Sequence, residues 1–337
     1  MITTVRTITI QLLAGALSAL PGALVAEEAG GREVVIEEWT VPWPQTGPRD
    51  PDVAPDGSIW LVGQAGHYVA RFDPETADFS RFDLPDGTGP HNVIVDDDGT
   101  VWVAGNRKGW IGEMDPETGD LKTHPMPSDE AGDPHTQVFD AVGNIWFTVQ
   151  AGNFVGRLDT SSGEVELGAV PTPGARPYGI KLDAQGRPWV ALLGTNALAT
   201  VDRESMEVTE IRLPREAARP RRLAITSDDR IWYVDYAQGY LGVYDPASGQ
   251  IEEWEAPSDS SGPYAMAVDA KDRIWFFETW AQPNLLVGFD TASESFIGST
   301  PVPSGGGTVR HMVYHEPTNS LWFGTDTNNL GRARLPD

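Results

Sequence analysis

The sequence of 337 residues contains no cysteine. This absence excludes disulfide bonds, thiolate nucleophiles and thiolate-ligated metal sites, so stability must come from packing. The sequence also lacks a phosphate-binding glycine loop, a nucleophile elbow, a haem-attachment motif and a zinc-protease helix. Function must therefore be sought in residues that the fold brings together.

Basic residues are scarce, because 24 Lys and Arg stand against 49 Asp and Glu and the formal net charge is −25 at pH 7. Such a charge repels nucleic acids and anionic membrane surfaces, which are therefore poor partners. We expect the partner to be a small-molecule substrate or ligand, and the protein to be a monomer.

Long apolar runs are also scarce, and the one that stands out extends from residue 8 to residue 26 after a single arginine. This pattern is typical of a secretory signal peptide. The break at Pro21 and Gly22 argues against a retained transmembrane helix, which needs about 20 uninterrupted apolar residues. We therefore predict a cleaved leader at residues 1–26. Residues 27–337 are then expected to form a single domain, periplasmic or secreted, with no membrane attachment.

Internal repetition is what the sequence has in abundance. A tryptophan in a β-rich unit recurs seven times at intervals of 42 to 47 residues: Trp60, Trp102, Trp146, Trp189, Trp232, Trp275 and Trp322. Short alternating strands separated by turn residues surround each one, which is typical of β-hairpins. Four strands in about 40 to 45 residues make one propeller blade. The sequence therefore predicts an all-β fold, a seven-bladed β-propeller of four-stranded blades with tryptophans packed between blades.

The last repeat is one strand short. After Trp322 the sequence has room for only a third strand before Asp337, whereas residues 33–42 match the fourth-strand pattern seen at residues 250–257. We predict that this N-terminal strand completes the last blade, because such pairing removes an open sheet edge and closes the ring.

A second periodicity lies eleven residues before each tryptophan. His, Tyr or Arg occupies all seven positions, which we call the ring residues: Arg49, His91, His135, Tyr178, Arg221, Tyr264 and His311. The constant register predicts that they line the mouth of the central channel, where each innermost strand begins.

Carboxylates concentrate just beyond the tryptophan strands of the last three blades, at Asp235, Glu278 and Asp326. Imidazole beside carboxylate suits general base catalysis near neutral pH, and it equally suits a hard divalent cation. The spacing of these residues does not separate the two possibilities.

The repeat units resemble those of a known family. The resemblance rests on residues 89–91 with 99–102, residues 133–135 with 143–148, and residues 176–180. These units resemble the repeat of the virginiamycin B lyase (streptogramin lyase) family, over essentially the whole of residues 27–337. The resemblance implies a seven-bladed propeller that opens a cyclic depsipeptide by elimination at its ester, using a histidine base and a magnesium ion held by glutamates.

Carried over position by position, the resemblance places the catalytic base at His311. Four other family positions differ here. The two glutamates of the family are replaced by Val309 and Thr325, its histidine by Tyr264, and its tyrosine by Arg49. Asp326, next to the second glutamate position, and Glu278 are then the candidate ligands for Mg²⁺.

These patterns predict a lyase-like enzyme that acts on a lactone, depsipeptide or similar small ester. His311 removes the proton α to the carbonyl, Mg²⁺ near Asp326 and Glu278 polarises that carbonyl, and the other six ring residues bind substrate. Two alternatives remain open. One is a metal-dependent lactonase, which adds water. The other is a non-catalytic propeller that binds a ligand or protein through side chains such as Trp280 and Arg221.

Overall fold

A computed structural model describes residues 33–337 of the chain, which fold into seven antiparallel sheets of four strands each. The first strand is Val35–Thr40 (β1). Blades 1 to 3 contain, in chain order, Pro48–Val53 (β2), Ile59–Gly63 (β3), Tyr68–Phe72 (β4), Phe79–Asp83 (β5), Val93–Val95 (β6), Val101–Gly105 (β7), Trp110–Met114 (β8), Leu121–Pro125 (β9), Pro134–Phe139 (β10), Ile145–Val149 (β11), Phe154–Leu158 (β12) and Val165–Ala169 (β13).

The remaining blades repeat the same order of four strands. Blades 4 to 6 contain Pro177–Leu182 (β14), Pro188–Leu192 (β15), Ala197–Val201 (β16), Val208–Arg212 (β17), Pro220–Ile225 (β18), Ile231–Asp235 (β19), Tyr240–Tyr244 (β20), Ile251–Glu255 (β21), Pro263–Val268 (β22), Ile274–Glu278 (β23), Leu285–Asp290 (β24) and Ser295–Pro301 (β25). Blade 7 contributes Met312–His315 (β26), Ser320–Gly324 (β27) and Asn329–Arg334 (β28). Short 3₁₀ turns occur at Asp129–Ala131 and Glu316–Thr318. The predicted seven-bladed β-propeller is confirmed.

Burial changes from the inside of each blade to its outside, as the residue pattern predicts. The second strands, for example β7 and β11, are buried at every residue because neighbouring blades cover both faces. Outer strands such as β9 leave most of their residues at least partly exposed. All seven repeat tryptophans are at most 3% exposed, and Trp146 packs with Val190 and Leu192 of the next blade.

Aspartates fix the hairpin that joins the first and second strands of several blades. In blade 6, Asp269 accepts backbone N–H groups from Lys271 and Arg273 at 2.9 and 3.0 Å, and the Nε1–H of Trp275 at 2.9 Å. The same tryptophan-to-aspartate bond, six residues back, forms in three other blades, at Trp102, Trp146 and Trp189. The repeated tryptophan thus packs between blades and also anchors its own turn.

The N-terminal strand completes blade 7, as predicted. β1 pairs antiparallel with β28 along its whole length, from Val35 opposite Arg334 to Thr40 opposite Asn329. Trp39 stacks on Trp322 with ring centroids 5.6 Å apart. The ring is therefore closed by hydrogen bonds between the two ends of the described chain.

Irregular backbone presents the ring residues to the channel. Five of the innermost strands shift register at or beside the ring residue, which is the effect of a β-bulge: β2, β10, β14, β18 and β22. A bulge bends the strand and re-aims its side chains. The predicted leader at residues 1–26 lies outside the described residues. No helix in residues 33–337 has the length and apolarity that spanning a bilayer requires.

Candidate functional site

Four ring residues from neighbouring blades form a continuous line of contacts. Arg49 Nη2 lies 3.0 Å from His91 Nε2. The rings of His91 and His135 have centroids 3.5 Å apart, and those of His135 and Tyr178 are 4.3 Å apart. The two histidines and Tyr178 are at most 5% exposed. The structure therefore packs these side chains against one another, where the sequence suggested an open lining.

Tyrosine and arginine continue this packing on the other side of the channel. The hydroxyl groups of Tyr178 and Tyr264 hydrogen-bond to each other. The Arg221 guanidinium lies 3.6 Å from the ring centroid of Tyr264 and 4.9 Å from that of Tyr178. Burial raises the pKa of Tyr264, with a further contribution from Tyr178. Tyr178 has a lowered pKa because Arg221, Arg222 and Arg49 together outweigh its burial.

An aromatic platform, Tyr236 and Trp280, extends from the ring residues to the surface. Tyr236 lies under Arg221, 4.3 Å from its guanidinium, and Trp280 meets Tyr236 edge-on at 5.2 Å. Trp280 donates its Nε1–H to the Tyr236 hydroxyl at 3.0 Å and is 46% exposed. Gly262 allows this placement, since a Cβ there would lie 2.5 Å from the indole.

Arg222, which the sequence analysis did not select, ties four blades together across the channel. Its Nη2 donates to Asp50 Oδ2, its Nη1 to Thr136 Oγ1 and its Nε to the Arg310 carbonyl, each at 3.1 Å. The residue is 3% exposed. The sequence signal for it was a second arginine directly after the ring residue Arg221, followed by the apolar residues 223–225 of the same innermost strand.

Asp50 is the buried anion of this network. Arg49 Nε lies 3.3 Å from its Oδ1, and the carboxyl is 1% exposed. Although burial opposes ionisation, Arg222 and Arg49 lower the pKa of Asp50 to about 2. Its φ of 43° places a non-glycine residue in the left-handed region, which Asp tolerates better than most residues.

His311 lies one residue before β26, and its Nδ1 has no hydrogen-bond partner among the described residues. Burial lowers the pKa of His311 to about 3, and the positive charges of Arg222, Lys181 and Arg49 outweigh the opposing effect of Asp50. The imidazole is therefore neutral at any physiological pH.

A cavity of about 280 Å³ lies against His311, which is the one ring residue among its lining residues. Its polar lining comes from the positions that follow the ring residues along the innermost strands: Asp52, Thr136, Gln137, Lys181 and Arg222. Burial raises the pKa of Asp52 to about 6, against the opposing effects of the Val95 N–H and Lys181. Burial also lowers the pKa of Lys181.

The family model described as the virginiamycin B lyase family matches residues 34–333. The chain belongs to the virginiamycin B lyase family. Among proteins with curated functions, none matches its sequence.

Solved structures show how widely the family's fold is shared. Virginiamycin B lyase from Staphylococcus aureus is 23% identical, with a TM-score of 0.81 over 90% of this chain and 100% of the other. A catalytically inactive variant of that lyase, solved with quinupristin, is 23% identical with a TM-score of 0.82 over the same shares. Hydrazine synthase from Kuenenia stuttgartiensis is 14% identical, with a TM-score of 0.73 over 88% of this chain and 97% of the other. A fold shared by such different enzymes does not define an activity.

The two carboxylates expected to hold Mg²⁺ in this member of the virginiamycin B lyase family have other partners. Glu278 is fully buried and accepts hydrogen bonds from the backbone N–H and the hydroxyl of Ser258. Asp326 forms an ion pair with Arg310. Within residues 33–337, no group of three or more His, Asp and Glu side chains is arranged to hold a metal ion.

The neighbouring family positions also lack metal ligands. Val309 is fully buried, and its N–H donates to Asn284 Oδ1 at 3.1 Å. Thr325 is buried and its hydroxyl bonds to Thr327 at 2.9 Å. This donor set does not fit a cation held jointly by Glu278 and Asp326, and the Mg²⁺ site stays a prediction.

Proposed function

We propose that this member of the virginiamycin B lyase family opens a lactone, depsipeptide or similar small ester by elimination, with His311 as the proton acceptor. The observation that carries the proposal is a neutral imidazole that lines the 280 Å³ cavity together with the Arg222 guanidinium. After removal of residues 1–26 the enzyme would act in the periplasm or outside the cell.

The elimination balances without adding water. His311 takes the proton from the carbon α to a carbonyl, the released electron pair forms a carbon–carbon double bond, and the carbon–oxygen bond at the next carbon breaks. The ester oxygen leaves as part of a carboxylate. Positive groups fixed in advance stabilise negative charge as it develops. Arg222 is fixed in this way by three hydrogen bonds, and it lines the same cavity as His311.

The other ring residues supply contacts for the substrate. Arg49, His91 and Tyr264 are proposed to orient it, and the exposed face of Trp280 offers a stacking surface. A relative with this fold was solved with quinupristin, which supports a small-molecule ligand for this chain.

Mass spectrometry of products from a panel of cyclic esters, including quinupristin and type B streptogramins, tests the proposal. Elimination opens the ring without a change in mass, whereas a lactonase product gains one water. His311→Ala should lower kcat/KM at least about 100-fold, the usual contribution of a general base. His315→Ala is the matched control, since His315 lies outside the ring and bonds to Thr318. Full activity of His311→Ala would remove His311 from the mechanism.

The pH profile gives a second readout. Because the pKa of His311 is about 3, its titration should leave kcat/KM unchanged between pH 5 and pH 8. A rise in activity with a midpoint near pH 6.5 that His311→Ala abolishes would show that the pKa of this histidine lies near its ordinary value and is not lowered. Metal analysis of the purified protein, with activity measured before and after chelation, tests the Mg²⁺ prediction separately.

Non-catalytic ligand binding is the second candidate, and the aromatic platform favours it. Tyr236, Trp280 and Arg221 form a binding surface that needs no reacting group. Saturable calorimetric binding of quinupristin that is lost in Trp280→Ala, kept in His311→Ala and accompanied by no product supports this candidate.

A further inference from the structure

The channel interior carries more positive than negative groups, in contrast to the acidic protein around it. Four basic side chains lie at the ring or directly beyond it, namely Arg49, Arg221, Arg222 and Lys181, and two carboxyl groups, Asp50 and Asp52, accompany them. Asp50 is already shared by Arg49 and Arg222. Arg222 is buried and the other three basic residues are half-buried, and excess positive charge in such a place favours a counter-ion.

Lys181 is the cation with the least compensation. It lines the 280 Å³ cavity together with Arg222 and His311. In the described part of the chain, its ammonium group forms no hydrogen bond and no ion pair. Asp52 is the nearest acidic influence on it, and the Asp52 carboxylate accepts the Val95 N–H at 2.9 Å.

A second cation that lines the cavity has unused hydrogen-bonding capacity. Arginine carries five N–H donors, and Arg222 uses three of them in the bonds to Asp50, Thr136 and Arg310. The cavity thus combines the Lys181 ammonium with spare N–H donors of Arg222.

We propose that this cavity binds a small organic acid, with its carboxylate against Lys181 and Arg222. A carboxylate satisfies the ammonium and the spare guanidinium N–H groups. The volume is just below the range of about 300 to 1,000 Å³ typical of sites for drug-sized ligands, so the acid has only a few carbons. The site shares His311 and Arg222 with the proposed elimination, but binding of an acid requires no turnover.

Isothermal titration calorimetry of the full chain with L-malate and L-lactate, and with lactamide as the neutral match of lactate, tests the proposal. We expect one of the two acids to bind once per chain, and lactamide to bind at least about 10-fold more weakly than lactate because it carries no charge to pair with the two cations. No binding by either acid overturns the proposal. Equal binding of lactate and lactamide overturns the role of the two cations.

Variants locate the site. Lys181→Met should weaken binding at least 10-fold, and Lys181→Arg should retain it because the cation is kept. Lys271→Met is the control, since Lys271 is exposed on a hairpin turn. Unchanged binding by Lys181→Met overturns the site. If Lys181→Met does not fold, a crystal structure of the unaltered protein grown with L-malate decides: density at Lys181 supports the site and an empty cavity overturns it. Malate binding without ester elimination, or the reverse, distinguishes this site from the proposed function.

Discussion

Replacing Arg222 with methionine should destabilise the propeller far more than removing an ordinary surface charge. Methionine keeps much of the side-chain volume but removes the three bonds that connect β18 to blades 1, 3 and 7. It also leaves the buried Asp50 carboxylate with Arg49 at 3.3 Å and His91 Nδ1 at 3.7 Å as its remaining neighbours.

The magnitude follows from the burial of the pair. Removing one partner of a buried ion pair typically costs about 3 to 5 kcal/mol. Independently, lowering the pKa of Asp50 from 3.8 to about 2 corresponds to about 2 kcal/mol of stability at neutral pH. Asn adopts a positive φ as readily as Asp, so Asp50→Asn adds no backbone strain. We therefore expect Asp50→Asn to lower the free energy of unfolding by about 2 to 3 kcal/mol. The double variant should cost at least about 1 kcal/mol less than the sum of the single variants, because both remove the same contact.

Urea unfolding followed by tryptophan fluorescence measures these free energies. Arg71→Met is the control, because the Arg71–Asp56 pair has a similar distance of 2.7 Å but side chains that are 36% and 55% exposed. It should cost no more than about 1 kcal/mol. Because the folded pKa of Asp50 is lowered, its contribution is present above about pH 4 and is lost as the pH falls through 2. The gap between wild type and Asp50→Asn should therefore shrink by about half at pH 3. An Arg222→Met cost equal to that of Arg71→Met, or strict additivity, would refute the reasoning.

The two remaining predictions concern closure and the cavity. Deleting residues 33–42 should cause aggregation or loss of the folded ring, seen by size-exclusion chromatography, and unchanged melting of this variant would contradict the closing role of β1. Trp39→Ala should lower the free energy of unfolding by about 2 to 4 kcal/mol, because Trp39 stacks on Trp322. The control Trp280→Ala should lower it by less than about 1 kcal/mol, because Trp280 is exposed. Asp52→Asn should stabilise the protein by about 1 to 3 kcal/mol at pH 8 and by almost nothing at pH 4. The reason is that the raised pKa of Asp52 makes its ionised form destabilising, and Asp52 ionises in the folded protein as the pH rises through about 6. An equal effect at both pH values in urea unfolding would contradict this assignment.

The sequence predicted the architecture because the signals that define it are local and repeated. Each blade carries its own tryptophan strand and turn residues, and the missing fourth strand of blade 7 was visible as an unmatched pattern at residues 33–42. The ring register was equally readable, since a constant offset from a buried tryptophan fixes a constant place in every blade.

The chemistry of the site was harder to predict because it depends on contacts between distant residues. Glu278 and Asp326 were selected by their distance from a tryptophan, but their partners Ser258 and Arg310 become apparent only in three dimensions. Arg222 reaches Asp50, which lies 172 residues away in sequence, and no local pattern predicts that pair.

The pairing of β1 with β28 has a consequence for folding kinetics. Thr40 and Asn329 hydrogen-bond across a separation of 289 residues. Closing a loop of that length costs about 5 kcal/mol of chain entropy by the logarithmic estimate, and contacts so distant in sequence are slow to form. Blades 1 to 6 gather all four strands from adjacent segments, so they are free to form before blade 7 is complete. We therefore expect the capture of β1 to be the last step of folding, and until then the edge of β28 is open to pairing with another copy of the chain.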